Sequence, residues 1–173
     1  SDIVRETSVA QGTFYYHFKS KEEVLVAVVQ KTAGELDRRV QAIVEKSQTT
    51  AAERLRQLIR TVFEFMRQKR QMIEYVHQDS NALLHHRLSG TTVLMIRKHV
   101  LALVNEGIQD GIFRVSHPEE TVDFFLGGLG GVLHVPEFTG NPKRAAKFRH
   151  AAESALERSL GCGPLEQTRK RGS

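Results

Sequence analysis

At 173 residues, with 40% hydrophobic and 26% charged side chains, the chain is long enough to bury a sizeable core or to set a small head on a larger body. No apolar run approaches the roughly 18 residues of a membrane span, no stretch reads as a secretory leader, and the single Cys162 excludes an internal disulfide framework, all of which suits a cytoplasmic protein. A net charge of +5 and a pI near 9.6 have the sign expected beside nucleic acid, without singling out that partner.

In chain order, Asp2 to Glu6 predict a short helix and Thr7-Ser8-Val9 a tight turn with one apolar plug. A second short helix follows. At roughly 100° per residue, Phe14 and Phe18 fall on one side of it, and Gly12, Thr13 and Tyr16 on the other. An outward face of glycine, hydroxyl and aromatic ring is odd for plain solvation, where Lys and Glu would serve. It suits a surface pressed against something, with Tyr15 and His17 on the two rims able to donate to phosphates. Short helix, three-residue turn and short helix make a DNA-binding helix-turn-helix, whose second helix enters the major groove. A core patch is the bland alternative for Phe14-Tyr15-Tyr16, but three adjacent aromatics cannot all face one core from a helix.

Residues 2–25, D-I-V-R-E-T-S-V-A-Q-G-T-F-Y-Y-H-F-K-S-K-E-E-V-L, resemble the DNA-binding signature of the TetR/AcrR family of bacterial transcriptional regulators, I-A-x-x-A-G-V-S-x-G-T-L-Y-x-H-F-x-S-K-E-x-L. Gly12, Thr13, Tyr15, His17, Phe18, Ser20, Lys21 and Glu22 match position for position. The resemblance implies that Gln11, Thr13 and Tyr16 face DNA, with Gly12 allowing close approach, and that Tyr15, His17 and Lys21 contact phosphates. Two departures stand out: Ser8 replaces the usual turn Gly, and Ala10 replaces the usual capping Ser or Thr. A missing N-cap costs on the order of 1 kcal/mol, so this helix leans on its neighbours and on DNA for order. The family also places an amphipathic helix ahead of Ser1 that packs on Phe14 and Phe18, so the sequence reads as lacking the start of such a head.

Ser20 and Glu23 predict a capping box opening a helix of about 25 residues, long enough to link a head to a separate body. Its apolar stripe is Val24, Leu25, Val28 and Val29, resumed after Gly34 by Leu36, Val40, Ile43 and Val44. Thr50 and Glu53 form a second box before a helix with Leu55, Leu58, Ile59, Val62, Phe63 and Met66 on one side and Arg54, Arg56, Arg60 and Arg67 largely on the other. Met72 to Val76 and Leu83 to Leu88 predict two short helices, Ser89-Gly90-Thr91 a break, and Val93 to Ile108 a long helix ended around Gly107 and Gly111. Pro118 starts a helix whose Val122 to Leu133 is apolar nearly all round, and therefore has to be covered on every side by its own chain or by a second copy. Asn141-Pro142 starts the last helix, and the polar tail from Gln167 reads as mobile.

The fold class is all-α: a helix-turn-helix DNA-binding head over residues 1–28, joined by the linking helix to a helical effector-binding and dimerisation body over 29–164, with a tail at 165–173. Phe124, Phe125, Leu129, Val132, Ala152 and Leu156 are the expected dimer interface, a two-fold four-helix contact that the resemblance supports. Phe63, Met66, Met72, Tyr75, Val76, Leu94 and Phe125 come from helices that, in the family, enclose a small-molecule cavity, with a packed core as the equal alternative for any one of them; His77, Arg97 and His99 are candidate polar anchors within it or at its mouth. No cofactor is expected. Gly127-Gly128-Leu129-Gly130-Gly131 lacks the preceding strand and the Gly-Lys-Ser/Thr of a phosphate loop, and Glu74 with His77 lacks the second pair that a di-metal site needs. The expected protein is therefore not an enzyme but a homodimeric repressor on palindromic double-stranded operator DNA, released by a small hydrophobic effector and free of any membrane. A helical ligand-binding scaffold that has lost DNA binding is the competing reading, and a metal-dependent helical enzyme the third.

Overall fold

A computed structural model describes residues 18–76, 82–133 and 141–162, with the backbone alone for 82–91 and 133. Among these residues every regular element is a helix: α1 Lys21–Val44, α2 Ala51–Gln68, α3 Arg70–Val76, α4 Ala82–Gln109, α5 Pro118–Leu133 and α6 Pro142–Ser159.

The caps explain where the helices begin. Ser20 Oγ accepts from the Glu23 N–H at 3.2 Å, while the Glu23 carboxylate reaches one residue further back than a capping box requires, to the Lys19 N–H at 2.7 Å. Thr50 and Glu53 make the full reciprocal box at 3.2 and 2.9 Å. Asn141 Oδ1 accepts from the N–H groups of Lys143 and Arg144.

α1 packs against α2 and α4, α5 lies on α4, and α6 closes over α2. Leu36, Val40, Leu55, Leu58, Val100, Leu103, Val104, Val122 and Leu156 form the fully covered centre of this packing. Arg54, expected on the solvent side of α2, is instead buried at 5% exposure: it donates to the Val44 carbonyl at 2.7 Å and pairs with Glu106. One guanidinium thus ties the last turns of α1 and α4 to the start of α2. Its several N–H donors satisfy both groups from a single position.

A second difference concerns Ser89-Gly90-Thr91, which does not break the chain but lies inside the 28-residue α4. One glycine costs about 1 kcal/mol in a helix interior, less than the cost of nucleating a separate helix. The real end of α4 is built by tertiary contact. The Gly107 carbonyl accepts from the N–H groups of Ile112 and Phe113, Gly111 takes φ 70°, and the buried Phe113 ring folds back onto Gly107. A Cβ at Gly107 would stand 2.2 Å from that ring. Gly107→Ala is accordingly expected to lose about 1–3 kcal/mol in a urea unfolding titration, since the ring has to leave its site to admit the methyl. Beyond this turn, the Arg114 N–H donates to the Leu160 carbonyl at 2.8 Å, which holds the α4–α5 connection against the end of α6.

Candidate functional site: an apolar cavity beside the linking helix

Five of the six helices surround a cavity of about 150 Å³, and α6 adds Leu156. α1 contributes Val29, Thr32 and Leu36, a stripe at the i, i+3, i+7 spacing of one helix face. α2 contributes Leu58, Val62 and Met66; α3 contributes Met72, Ile73 and Val76; α4 contributes Val93, Ile96 and Val100; α5 contributes Phe125 and Leu129. The unbranched thioethers of Met66 and Met72 can follow the shape of an occupant at little cost. Among the described residues, polar lining is limited to two threonines, Thr32 and Thr92. The Thr32 hydroxyl donates to the Val28 carbonyl at 2.8 Å and lies 3.4 Å from the Met72 sulfur.

Of the residues expected here from sequence, Met66, Met72, Val76 and Phe125 line the cavity, whereas Phe63, Tyr75 and Leu94 do not. The Phe63 ring packs against Phe148 of α6, centroids 5.9 Å apart, and Leu94 is 66% exposed. Sequence reasoning misses Ile73, Ile96 and the α1 residues as lining, although the α1 stripe carries a legible period. Arg97 and His99 are not among the lining residues and meet carboxylates instead. Arg97 binds Asp123 at 2.5 Å and Glu119 at 3.0 Å, tying α4 to α5, and these carboxylates, Asp123 foremost, hold its pKa well above the usual arginine value. The buried His99 meets Asp37 of α1 at 2.8 Å, and this hydrogen bond, with Lys98 nearby, keeps the Asp37 carboxyl below its ordinary pKa. His77 lies outside the described residues.

α3 carries a second contact. Lys21, the first residue of α1, sets its ammonium 5.4 Å from the centre of the Tyr75 ring, and the hydrogen bond to Tyr75 raises the lysine pKa. A helix of seven residues therefore presents Met72, Ile73 and Val76 to the cavity and Tyr75 to the start of α1. Thr32 adds the sulfur contact with Met72 midway along α1. Gln11, Gly12, Thr13, Tyr15, Tyr16 and His17 lie outside the described residues, and Phe18, just after them, is half-buried.

The residues expected at a dimer contact divide. Phe124 is 86% exposed, the most open large apolar side chain among the described residues, while Phe125 turns to the cavity. Leu129, Ala152 and Leu156 are buried within the single chain, and Val132 is half-buried. α5 is apolar on both sides for two reasons: one side closes the monomer's own core, and the other is left uncovered. Cβ atoms added at Gly127, Gly128 and Gly131 would meet nothing within 4 Å, so these glycines leave a shallow open strip beside Phe124 rather than a close approach within the chain. Glu74 pairs with Arg70 at 3.0 Å, and no cluster of three or more His, Cys, Asp or Glu fit for a metal ion occurs among the described residues. No helix among them is long and apolar enough to cross a membrane.

Residues 1–28 match the family model of bacterial regulatory proteins, tetR family. No curated protein gives a match. Among solved structures, the chain is similar to the crystal structure of the TetR transcriptional regulator SCO0520 from Streptomyces coelicolor, with a TM-score of 0.62 and 19% identity over 91% of this chain and 85% of that one. At that identity the likeness establishes a shared fold.

Proposed function

We propose that the chain is a TetR-family transcriptional regulator, a reading supported by the match of residues 1–28 to that family's model, and that it is a homodimeric repressor whose grip on operator DNA is set by a small apolar effector in the cavity. Residues 1–28 serve as the DNA-binding head, 29–164 as the body and 165–173 as a tail, with α1 running unbroken across the first boundary. In the head, Gln11, Thr13 and Tyr16 read bases, Gly12 permits the approach, and Tyr15, His17 and Lys21 hold phosphates. Two heads in one dimer meet successive major grooves of a palindromic site.

The observation that carries the effector half of this reading is the double engagement of α3. An occupant that displaces Met72 or Val76 moves the element on which Tyr75 stands, and Lys21 with the start of α1 follows. Ligand binding alters DNA affinity only if the two head spacings bind the ligand unequally, typically by about 1–3 kcal/mol. Release on effector binding gives repression its natural sense.

The test is a fluorescence-anisotropy titration of the full chain on DNA from upstream of its own gene against a shuffled duplex of equal length. A preference of at least about 1,000-fold at physiological salt is the expected result. Equal affinity for both duplexes contradicts the regulator and favours a scaffold whose head, altered at Ser8 and Ala10, no longer reads DNA.

A further inference from the structure

We propose that the cavity takes an uncharged, almost wholly hydrocarbon molecule the size of one substituted ring, and rejects carboxylates and other anions of the same shape. The proposal names the effector class for the regulator reading above and rests on that reading only for its biological meaning.

Size comes first. A volume of about 150 Å³ equals that of engineered apolar cavities that stay dry and take up benzene, so the occupant has on the order of six to ten non-hydrogen atoms. Charge comes second. Among the described residues none of the lining side chains is ionisable, and a carboxylate moved into such a site has to shed its water without a counter-ion. Several cations on or beside the surrounding helices are already engaged: Arg39 and Lys69 with Glu35, Arg97 with Asp123 and Glu119, Lys98 and His99 with Asp37. Drawing one of them inward would strand its carboxylate partner. Hydrogen bonding comes third. The Thr32 proton is already given to the Val28 carbonyl, which leaves that hydroxyl an acceptor toward the cavity. An occupant carrying one weak donor is accommodated, whereas one that needs several donors from the protein is not.

The experiment is isothermal titration of the full chain with toluene and, separately, with benzoate, the same ring bearing a carboxylate. Toluene is expected to bind and benzoate to bind at least about 100-fold more weakly. Ile96→Phe, which fills the space from α4, is expected to weaken toluene at least tenfold while circular dichroism stays helical; should that variant unfold, Val76→Phe fills it from α3. Benzoate binding as tightly as toluene, or toluene failing to bind the folded wild-type chain, overturns the proposal. Toluene binding that survives both filling variants overturns its location. DNA binding is scored on the same preparation: selective DNA binding without toluene binding sinks the ligand class alone, and toluene binding without DNA binding sinks the regulator alone.

Discussion

Phe124→Asp is expected to convert the proposed homodimer into monomers on a sizing column and to weaken operator binding at least about 100-fold, because two linked heads gain roughly 100- to 10,000-fold over one. Phe124 sits 86% exposed on a helix whose Val122, Leu126 and Leu129 are spent on the chain's own core. In a two-fold contact each such ring is used twice. At on the order of 150 Å² and 25 cal/mol per Å² for each ring, the pair contributes several kcal/mol. The aspartate replaces that contribution with two carboxylates facing one another across the axis. Phe125→Asp gives a different result: its side chain lines the cavity, so it disturbs folding and ligand binding before it disturbs assembly. An unchanged elution volume for Phe124→Asp moves the interface off α5.

Tyr16→Ala is expected to erase about 1–3 kcal/mol of preference for operator over shuffled DNA, a factor of roughly 5 to 150, while leaving the weaker non-specific binding in place. Lys21→Ala behaves in the opposite way. It weakens all duplexes alike and lowers the slope of log K against log salt by about 0.9, the signature of one phosphate that the protein no longer neutralises. Lys21 also meets Tyr75, so Tyr75→Ala frees the lysine without removing its charge and is expected to leave the salt slope unchanged. Selectivity retained in full by Tyr16→Ala contradicts the assigned face.

The helices of the body are legible in the sequence wherever a cap and a period coincide. Thr50 with Glu53 and Asn141 with Pro142 mark starts that the structure reproduces, because capping is decided within one turn. What escapes the sequence is decided at longer range. Gly90 looks like punctuation locally, yet the hydrogen-bonded ladder runs through it; Arg54 looks like a surface residue until Glu106 and the Val44 carbonyl arrive from two other helices. The same holds for the cavity. Met66, Met72, Val76 and Phe125 are identifiable as large apolar residues on the right helices, but a helix period cannot tell Phe124 from Phe125, or say that Phe63 spends its ring on Phe148. The pairing of Lys21 with Tyr75 joins residues 54 positions apart and carries no local signal at all.

In the proposed regulator, cavity and DNA are read by one equilibrium, with α3 and the start of α1 between them. The direct measurement is operator affinity with and without saturating toluene, paired with toluene affinity with and without saturating operator. Linkage requires both to fall by one common factor, expected between roughly 5 and 150. Operator affinity that stays unchanged while the cavity is demonstrably filled contradicts it.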